Sequence, residues 1–212
     1  MSSPVLSASA PSRSRSNQID LWLARILFFF LNIGIAIMLV YFYPRMRELG
    51  LSGVQIGMIS ALTPIAVTAV NTGYGIMADR FGNTRGLMIL SPILAIICAI
   101  LLTFTDSFYL ILPLGVLFFA FFTPINTLLS ALTLEFLKHE PQKFGEIRVW
   151  GSIGFLITAF IAGLVLQAIG LSYVFLVFTC GALLFIAGVI FLRPQRLVAG
   201  PPLLAGLRQL VR

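Results

Sequence analysis

Long apolar segments alternate with short charged segments along this chain. Six of the apolar segments reach the length of roughly 20 residues that a helix needs to cross a bilayer. The predicted spans are approximately Leu21–Tyr43, Val54–Ala78, Gly86–Thr105, Phe108–Leu137, Ile147–Ile169 and Tyr173–Leu192. Backbone groups in lipid must be paired within their own segment, which excludes lipid-exposed strands and loops. The pattern therefore predicts an all-α membrane protein with six transmembrane helices, in which short connections make neighbouring helices antiparallel.

Two polar segments flank the predicted transmembrane bundle at residues 20–192. Residues 1–19 are rich in serine and arginine and contain no acidic residue, which predicts a disordered cytoplasmic tail, with a transit peptide as the alternative. Residues 193–212 contain Pro194, Pro201, Pro202 and four arginines, which predicts a cytoplasmic linker. A linker in this position suggests that the bundle is one half of a larger protein.

The composition favours a lipid environment and argues against several other functions. Of the 212 residues, 59% are hydrophobic and 10% are charged, whereas soluble domains average about 25% charged residues. The net charge of +7 comes from residues between the apolar segments, without the interleaved aromatics of a nucleic-acid site. Cys98 and Cys180 lie within apolar segments, and His139 has no partner suited to metal or nucleophilic chemistry. We therefore expect no enzyme activity, no metal, no cofactor and no nucleic-acid partner.

The distribution of basic residues predicts the orientation of the bundle. With the N-terminus inside, one side of the membrane receives Arg13, Arg15, Arg80, Arg85, Lys138, Lys143, Arg148, Arg193, Arg196, Arg208 and Arg212. The other side receives only Arg45 and Arg47. Because cytoplasmic loops carry the excess of lysine and arginine, we expect both termini on the cytoplasmic side of a cell (inner) membrane.

The loop between the second and third spans contains glycines and charges at a characteristic spacing. Gly75 and Gly82 permit a tight turn, and Asp79, Arg80 and Arg85 lie at the membrane edge. This loop resembles the signature loop of the major facilitator superfamily, G-x-L-A-D-R-x-G-R-K-x-x-L. The resemblance implies the N-terminal six-helix bundle of the major facilitator fold and a gating role for these five residues against a second half.

The fifth span begins with the sequence FGEIRVWGSIGF, at residues 144–155. It resembles the fifth-helix start of the lactose permease and phenylpropionate permease branch of that superfamily. By this resemblance Arg148 corresponds to an arginine that binds substrate in the sugar permease, and Ser152 and Phe155 follow it by one and two turns. The sugar permease pairs its arginine with a fourth-helix glutamate, where this chain has Ser130, and the nearest acid is Glu135.

The first span carries a cation, two rings and an amide on one helical face. These are Arg25, Phe28, Phe29 and Asn32, at positions i, i+3, i+4 and i+7. Arg25 either contributes to a solute site or extends to the headgroups at the membrane surface. Asn32 either lines that site or makes a hydrogen bond to a neighbouring helix.

The fourth span carries four polar residues with the same spacing. Thr123, Asn126, Thr127 and Ser130 share a stripe, and Pro124 can loosen the backbone at its start. The stripe predicts either a water-filled cavity wall or polar contacts between helices, and we favour the cavity wall because four polar groups exceed what packing requires.

Small residues predict where helices approach one another closely. The second span has Gly53, Gly57 and Ala61 at intervals of four, and the fifth has Gly151 and Gly154. Such stripes are typical of packed transmembrane helices.

Three functions are compatible with these features. The first is a secondary transporter half that moves a small organic solute, an organic or aromatic acid, together with protons by alternating access. A substrate carboxylate would offset the cost of Arg25 and Arg148 in a cavity without acids at mid-depth. The second is a sugar or nucleoside proton symporter, and the third is a non-transporting six-helix scaffold or dimer. The expected partners are a small-molecule substrate, the lipid bilayer and either a missing C-terminal six-helix half or a second copy.

Overall fold

The computed structural model describes residues 15–81, 83–137 and 140–192, and these residues form a helical bundle. Its helices are α1 (Arg15–Glu48), α2 (Gly53–Phe81), α3 (Thr84–Thr103), α4 (Phe108–Phe122), α5 (Pro124–Phe136), α6 (Phe144–Ile169) and α7 (Val174–Ile190). Six helical spans in the described residues are long and apolar enough to cross a membrane, which confirms the prediction of six. The predicted linker, residues 193–212, and residues 1–14 of the predicted tail lie outside the described residues.

The fourth span consists of α4 and α5, separated by one residue. Pro124 has no backbone N–H to continue the helical ladder, so the regular pattern is interrupted there. Thr123 nevertheless keeps helical angles of φ −59° and ψ −40°, so the span continues in one direction. The hydroxyl of Ser91 in α3 donates a hydrogen bond to the Phe121 carbonyl next to this interruption. The break is therefore tied to a neighbouring helix.

Local side-chain contacts define several helix ends. At the start of α2, the Ser52 N–H donates to Gln55 Oε1 at 2.8 Å and the Gln55 N–H donates to Ser52 Oγ at 3.3 Å. This reciprocal pair is a capping box. Asn83 caps α3 by accepting the Gly86 N–H at 2.9 Å. Gly170 ends α6 with a φ of +98°, a conformation that few other residues adopt without strain.

Helix α1 packs against α5, α6 and α7. Next to it, Phe42, Phe118, Phe122 and Phe178 form a buried aromatic cluster. The ring centroids of Phe118 and Phe178 are 4.7 Å apart, and those of Phe122 and Phe178 are 5.0 Å apart. The gap beside Phe42, Phe118 and Phe178 is too narrow for a water molecule. This part of the core is therefore a dry packing region and offers no path for a polar solute.

Helix α2 differs from the other spans in its exposure. It packs mainly on α4. In the most hydrophobic stretch of α2 only 6% of the residues are buried by the described chain, whereas the corresponding fraction in the other spans is 28% to 44%. An added Cβ at Gly53 or Gly57 would meet nothing within 4 Å. The small-residue stripe of α2 is therefore available to a surface outside the described residues.

The bundle has two ends, which differ in the helix termini that they contain. The basic end contains the starts of α1, α3 and α6 and the ends of α2, α5 and α7. The opposite end contains the ends of α1, α3 and α6, the starts of α2, α4 and α7, and an exposed ion pair of 2.6 Å between Arg45 and Glu48.

Candidate functional site

The first candidate surface is one face of α6 near the basic end. Arg148 and Ser152 are exposed and Phe155 is half-buried. Because a helix rises 1.5 Å per residue, these residues lie about 6, 12 and 16 Å from the start of α6 at Phe144. Neither Arg148 nor Ser152 makes a side-chain hydrogen bond or ion pair to any part of the chain that the structure describes. The face thus presents a cation and a hydroxyl to its surroundings, with a ring toward mid-membrane.

The second candidate surface is the polar stripe of α5. Asn126 and Ser130 are half-buried, whereas Thr123 and Thr127 are exposed. Within residues 15–81, 83–137 and 140–192, none of these four side chains has a hydrogen-bond partner. Asn126 lies about 15 Å from the end of α5 at Phe136, which is about the middle of a 30 Å hydrocarbon core.

Several other hydroxyls in the spans are satisfied within their own helix, although the buried hydroxyls of Tyr74 and Thr84 have no partner among the described residues. Thr63, Thr68, Thr72 and Thr133 each donate to the carbonyl four residues earlier, at 2.7 to 2.9 Å. These local bonds remove the cost of a hydroxyl in lipid. The partnerless groups of α5 and α6 need another source of hydrogen bonds, since an unpaired polar group in hydrocarbon is costly. Water, a solute or a further polypeptide surface can supply these bonds.

Helices α1 and α6 approach closely through glycines. The Asn32 amide donates to the Phe28 carbonyl at 2.9 Å and lies directly over Gly151, where an added Cβ would collide with it. A Cβ at Gly154 would lie 2.6 Å from the Phe29 carbonyl oxygen. Gly151 and Gly154 therefore have the packing role that their spacing predicts. Asn32 lies in the seam between α1 and α6, and its donor is satisfied within α1.

A tyrosine adds a polar contact farther along the same seam. The Tyr41 hydroxyl donates to the Ala159 carbonyl at 2.5 Å and lies 2.7 Å from the position that a Cβ on Gly163 would occupy. Sequence reasoning missed Tyr41, because its partner is a backbone carbonyl on a distant helix. The sequence indicated this contact only through the small residue Gly163, which leaves room for a large side chain from a neighbouring helix.

Arg25 lies on the side of α6 that carries Trp150. Its guanidinium carbon is 4.5 Å from the centre of the Trp22 ring, and the Trp22 and Trp150 rings meet edge to face at 6.5 Å. Trp150 and Arg148 are two positions apart, which corresponds to about 200° around a helix. Arg25 of α1 therefore lies beside the face of α6 that carries Trp150, whereas Arg148 lies on a different face of α6. Sequence reasoning missed Trp22, although its i, i+3 spacing to Arg25 was a usable signal.

The predicted gating residues lie at the basic end, around the loop between α2 and α3. Asp79 and Arg80 belong to the last turns of α2, Gly75 is exposed in the same helix, and Gly82 lies outside the described residues. Arg85 Nη2 donates to the Ile190 carbonyl at 2.6 Å. The last carbonyls of a helix lack backbone donors, and a guanidinium satisfies one while opposing the negative end of the helix dipole. Arg85 thus joins the start of α3 to the end of α7 within the same bundle.

The chain is similar to transporters of known families. Residues 21–199 match a family model described as the MFS_1 like family. The chain is 31% identical over 164 residues to an uncharacterized transporter, YwbF, of Bacillus subtilis, which is 77% of this chain and 41% of the relative. It is 29% identical over 177 residues to a maltose permease of Geobacillus stearothermophilus, which is 84% of this chain and 44% of that protein.

The fold is similar to a solved transporter structure. The crystal structure of the nucleoside transporter NupG superposes with a TM-score of 0.66 and 18% sequence identity, covering 85% of this chain and 45% of that one. The chain thus spans less than half the length of the relatives that it matches. These relatives are transporters and not enzymes. The family match and the six-helix fold together show that this chain belongs to the MFS_1-like family of the major facilitator superfamily, in which it corresponds to about the N-terminal half.

Proposed function

We propose that this chain forms half of a secondary active transporter that moves a small organic solute, an organic or aromatic acid, by alternating access. Polar groups on α5 and α6 have no hydrogen-bond partner in the described chain, whereas several other hydroxyls of the spans are satisfied locally. A solute cavity would supply the missing partners to Arg148, Ser152, Asn126 and Ser130.

The charges near this surface favour an anion as the solute. Glu135 and Glu146, the acids of α5 and α6, lie in the last turn of α5 and the first turn of α6. Arg148 lies about 6 Å along α6 from Phe144, and an arginine within a membrane span is costly without a compensating charge. A carboxylate would form a charge-assisted, bidentate pair with the Arg148 guanidinium. The Phe155 ring, about two turns deeper, would then contact an aromatic or apolar body of the solute.

A second six-helix half is the proposed partner of this bundle. The chain spans 41% to 45% of the length of the relatives that it matches. Gly57, Ala61 and Thr68 lie on the exposed face of α2, and such small residues favour close contact with another helix over contact with lipid. The gating role that we assign to Gly75, Asp79, Arg80, Gly82 and Arg85 also requires an opposing half. A second copy of this chain would be the alternative partner.

Proton coupling is part of the proposal. The described residues near the centre of the bundle supply no acid or histidine. The group that binds the proton therefore belongs to the second half.

Uptake by the full-length protein in proteoliposomes tests this function. We expect an inward proton gradient to drive accumulation of a labelled aromatic carboxylate, such as benzoate, and other carboxylates to compete with it. Vesicles without protein are the control. Failure to accumulate any labelled carboxylate or sugar would contradict transport and favour a scaffold.

A neutral sugar or a nucleoside is the second candidate solute. The similarity to a maltose permease favours it, and Trp150 or Phe155 would then stack on the sugar. In the same uptake assay, competition by maltose or uridine but not by carboxylates would select this candidate over the anion.

We also propose that the basic end of the bundle faces the cytoplasm of a cell (inner) membrane. The basic end holds Arg80, Arg85, Lys143 and Arg148, and such an excess is typical of cytoplasmic loops. A cysteine introduced at Gly50, in the exposed turn after α1, should react with an impermeant maleimide added to intact cells, in a background with Cys98 and Cys180 replaced. A cysteine at Gln142 should react only after the cells are opened, and the reverse pattern would contradict this orientation.

A further inference from the structure

Three side chains at the basic end form a mixed cationic and aromatic cluster between α1 and α6. The Arg25 guanidinium lies over the Trp22 ring, 4.5 Å from its centre, and the edge of Trp150 completes the cluster at 6.5 Å from Trp22. Trp22 is 56% exposed and Trp150 is 39% exposed. The cluster is therefore assembled by packing between the helices, yet it is open to its surroundings.

The arginine in this cluster has unused hydrogen-bonding capacity. Its Nε atom is buried and has no hydrogen-bond partner among the described residues. Contact with the Trp22 ring stabilises the charge through the ring quadrupole but accepts no N–H. Arg25 lies about 6 Å along the helix from Leu21, where the apolar part of α1 begins. The terminal N–H groups of this half-buried arginine also make no hydrogen bond within the described residues. An oxygen-rich anion at the membrane surface would provide acceptors for these terminal groups.

Apolar side chains continue from both tryptophans toward mid-membrane. Ile26 follows Trp22 by four residues on α1, and Ile153 and Ile157 follow Trp150 by three and seven residues on α6. These spacings place them on the same helical faces as the tryptophans. All three isoleucines are more than a third exposed. A polar cluster at the surface thus leads into an apolar strip, which is the arrangement of headgroup and acyl chain in a phospholipid.

We infer that Trp22, Arg25 and Trp150 form a binding site for the headgroup phosphate of an anionic phospholipid, with its acyl chains along Ile26, Ile153 and Ile157. Tryptophans are enriched at the headgroup level of membrane proteins, and arginine binds phosphate through its planar fork of donors. This site assigns Arg25 to lipid and leaves Arg148, on another side of α6, for the solute. It stands independently of the proposed transport of an anion, whereas a sugar stacked on Trp150 would compete with the lipid for that ring.

Tryptophan fluorescence reports directly on this site, since the chain contains two tryptophans and both belong to it. The chain in detergent would be titrated with phosphatidylglycerol or phosphatidylcholine, each brominated in its acyl chains to quench nearby tryptophans. We expect half-maximal quenching at about a fivefold lower concentration of phosphatidylglycerol, since one basic residue near a surface contributes about that preference for anionic lipid. Added salt should reduce this preference.

Substitutions separate the proposed site from general attraction to a basic protein. Arg25→Gln should abolish the preference for phosphatidylglycerol, Arg25→Lys should retain part of it, and Arg47→Gln at the opposite end should leave it unchanged. Equal quenching of the unsubstituted chain by both lipids would overturn the proposal, and so would an unaltered preference in a folded Arg25→Gln chain. If glycerol phosphate in solution prevented quenching as effectively as intact phosphatidylglycerol, the site would bind a free phosphate ester and the lipid assignment would be wrong.

Discussion

Replacement of Arg148 by glutamine is expected to reduce carboxylate uptake by the full-length protein about 30-fold or more, with normal insertion into the membrane. Removing one partner of a hydrogen-bonded charge pair shielded from water costs roughly 2–5 kcal/mol, and each 1.4 kcal/mol corresponds to a factor of ten. Arg148 is exposed on α6 and bonds to nothing in the described chain, so its loss should leave the bundle intact. Initial rates over a range of substrate concentrations would measure the effect on kcat/KM.

Two further variants make this prediction specific. Arg148→Lys keeps the charge but loses the planar pair of donors, so we expect an intermediate rate. Arg47→Gln removes an exposed arginine at the opposite end and should leave uptake unchanged. Uptake by Arg148→Gln at the unsubstituted rate would remove Arg148 from the solute site.

Replacement of Gly154 by alanine is expected to destabilise the chain, although alanine normally favours helices over glycine by about 1 kcal/mol. The new Cβ would lie 2.6 Å from the carbonyl oxygen of Phe29, a backbone atom that cannot move independently of α1. Such overpacking costs about 1–3 kcal/mol beyond the propensity gain. For a chain of this length the midpoint of thermal unfolding should fall by roughly 2–12 °C.

Gly145 provides a matched control in the same helix. An added Cβ there would meet nothing within 4 Å, so Gly145→Ala should be neutral or slightly stabilising. Thermal unfolding in detergent, followed by circular dichroism for both variants, would measure the contrast. An increase in stability for Gly154→Ala would show that α1 and α6 do not approach as closely as the structure describes.

The apolar pattern alone predicted the spans, because the length of a membrane helix is fixed by bilayer thickness. The helices extend beyond the predicted spans where polar residues continue the helical backbone, as at Arg15 and Glu48 of α1. The sequence also indicated the interruption at Pro124 and the close approach at Gly154, since the absence of an N–H or of a side chain has a direct geometric effect.

Contacts between distant helices could not be predicted from helical periodicity. The hydrogen bond from Arg85 to the Ile190 carbonyl joins residues 105 positions apart. The residues around Arg85 in the sequence do not show whether its side chain bonds within this bundle or contacts a second half. The same limit applies to Arg25, which shares a helical face with Asn32 but lies over Trp22. Periodicity defines the face of a helix, whereas the neighbour of that face depends on how all the helices pack.

The proposed carboxylate site depends on the Arg148 guanidinium, so the binding of an acid should differ strongly from the binding of its neutral amide. Benzoate and benzamide have nearly the same shape and differ in charge, so their affinities for the purified full-length protein isolate the contribution of the cation. The proposed site predicts that benzoate binds about 30-fold or more tightly than benzamide, and that Arg148→Gln removes this difference. Equal affinity for the two compounds in the unsubstituted protein, or a preference for benzoate that persists in Arg148→Gln, would contradict it.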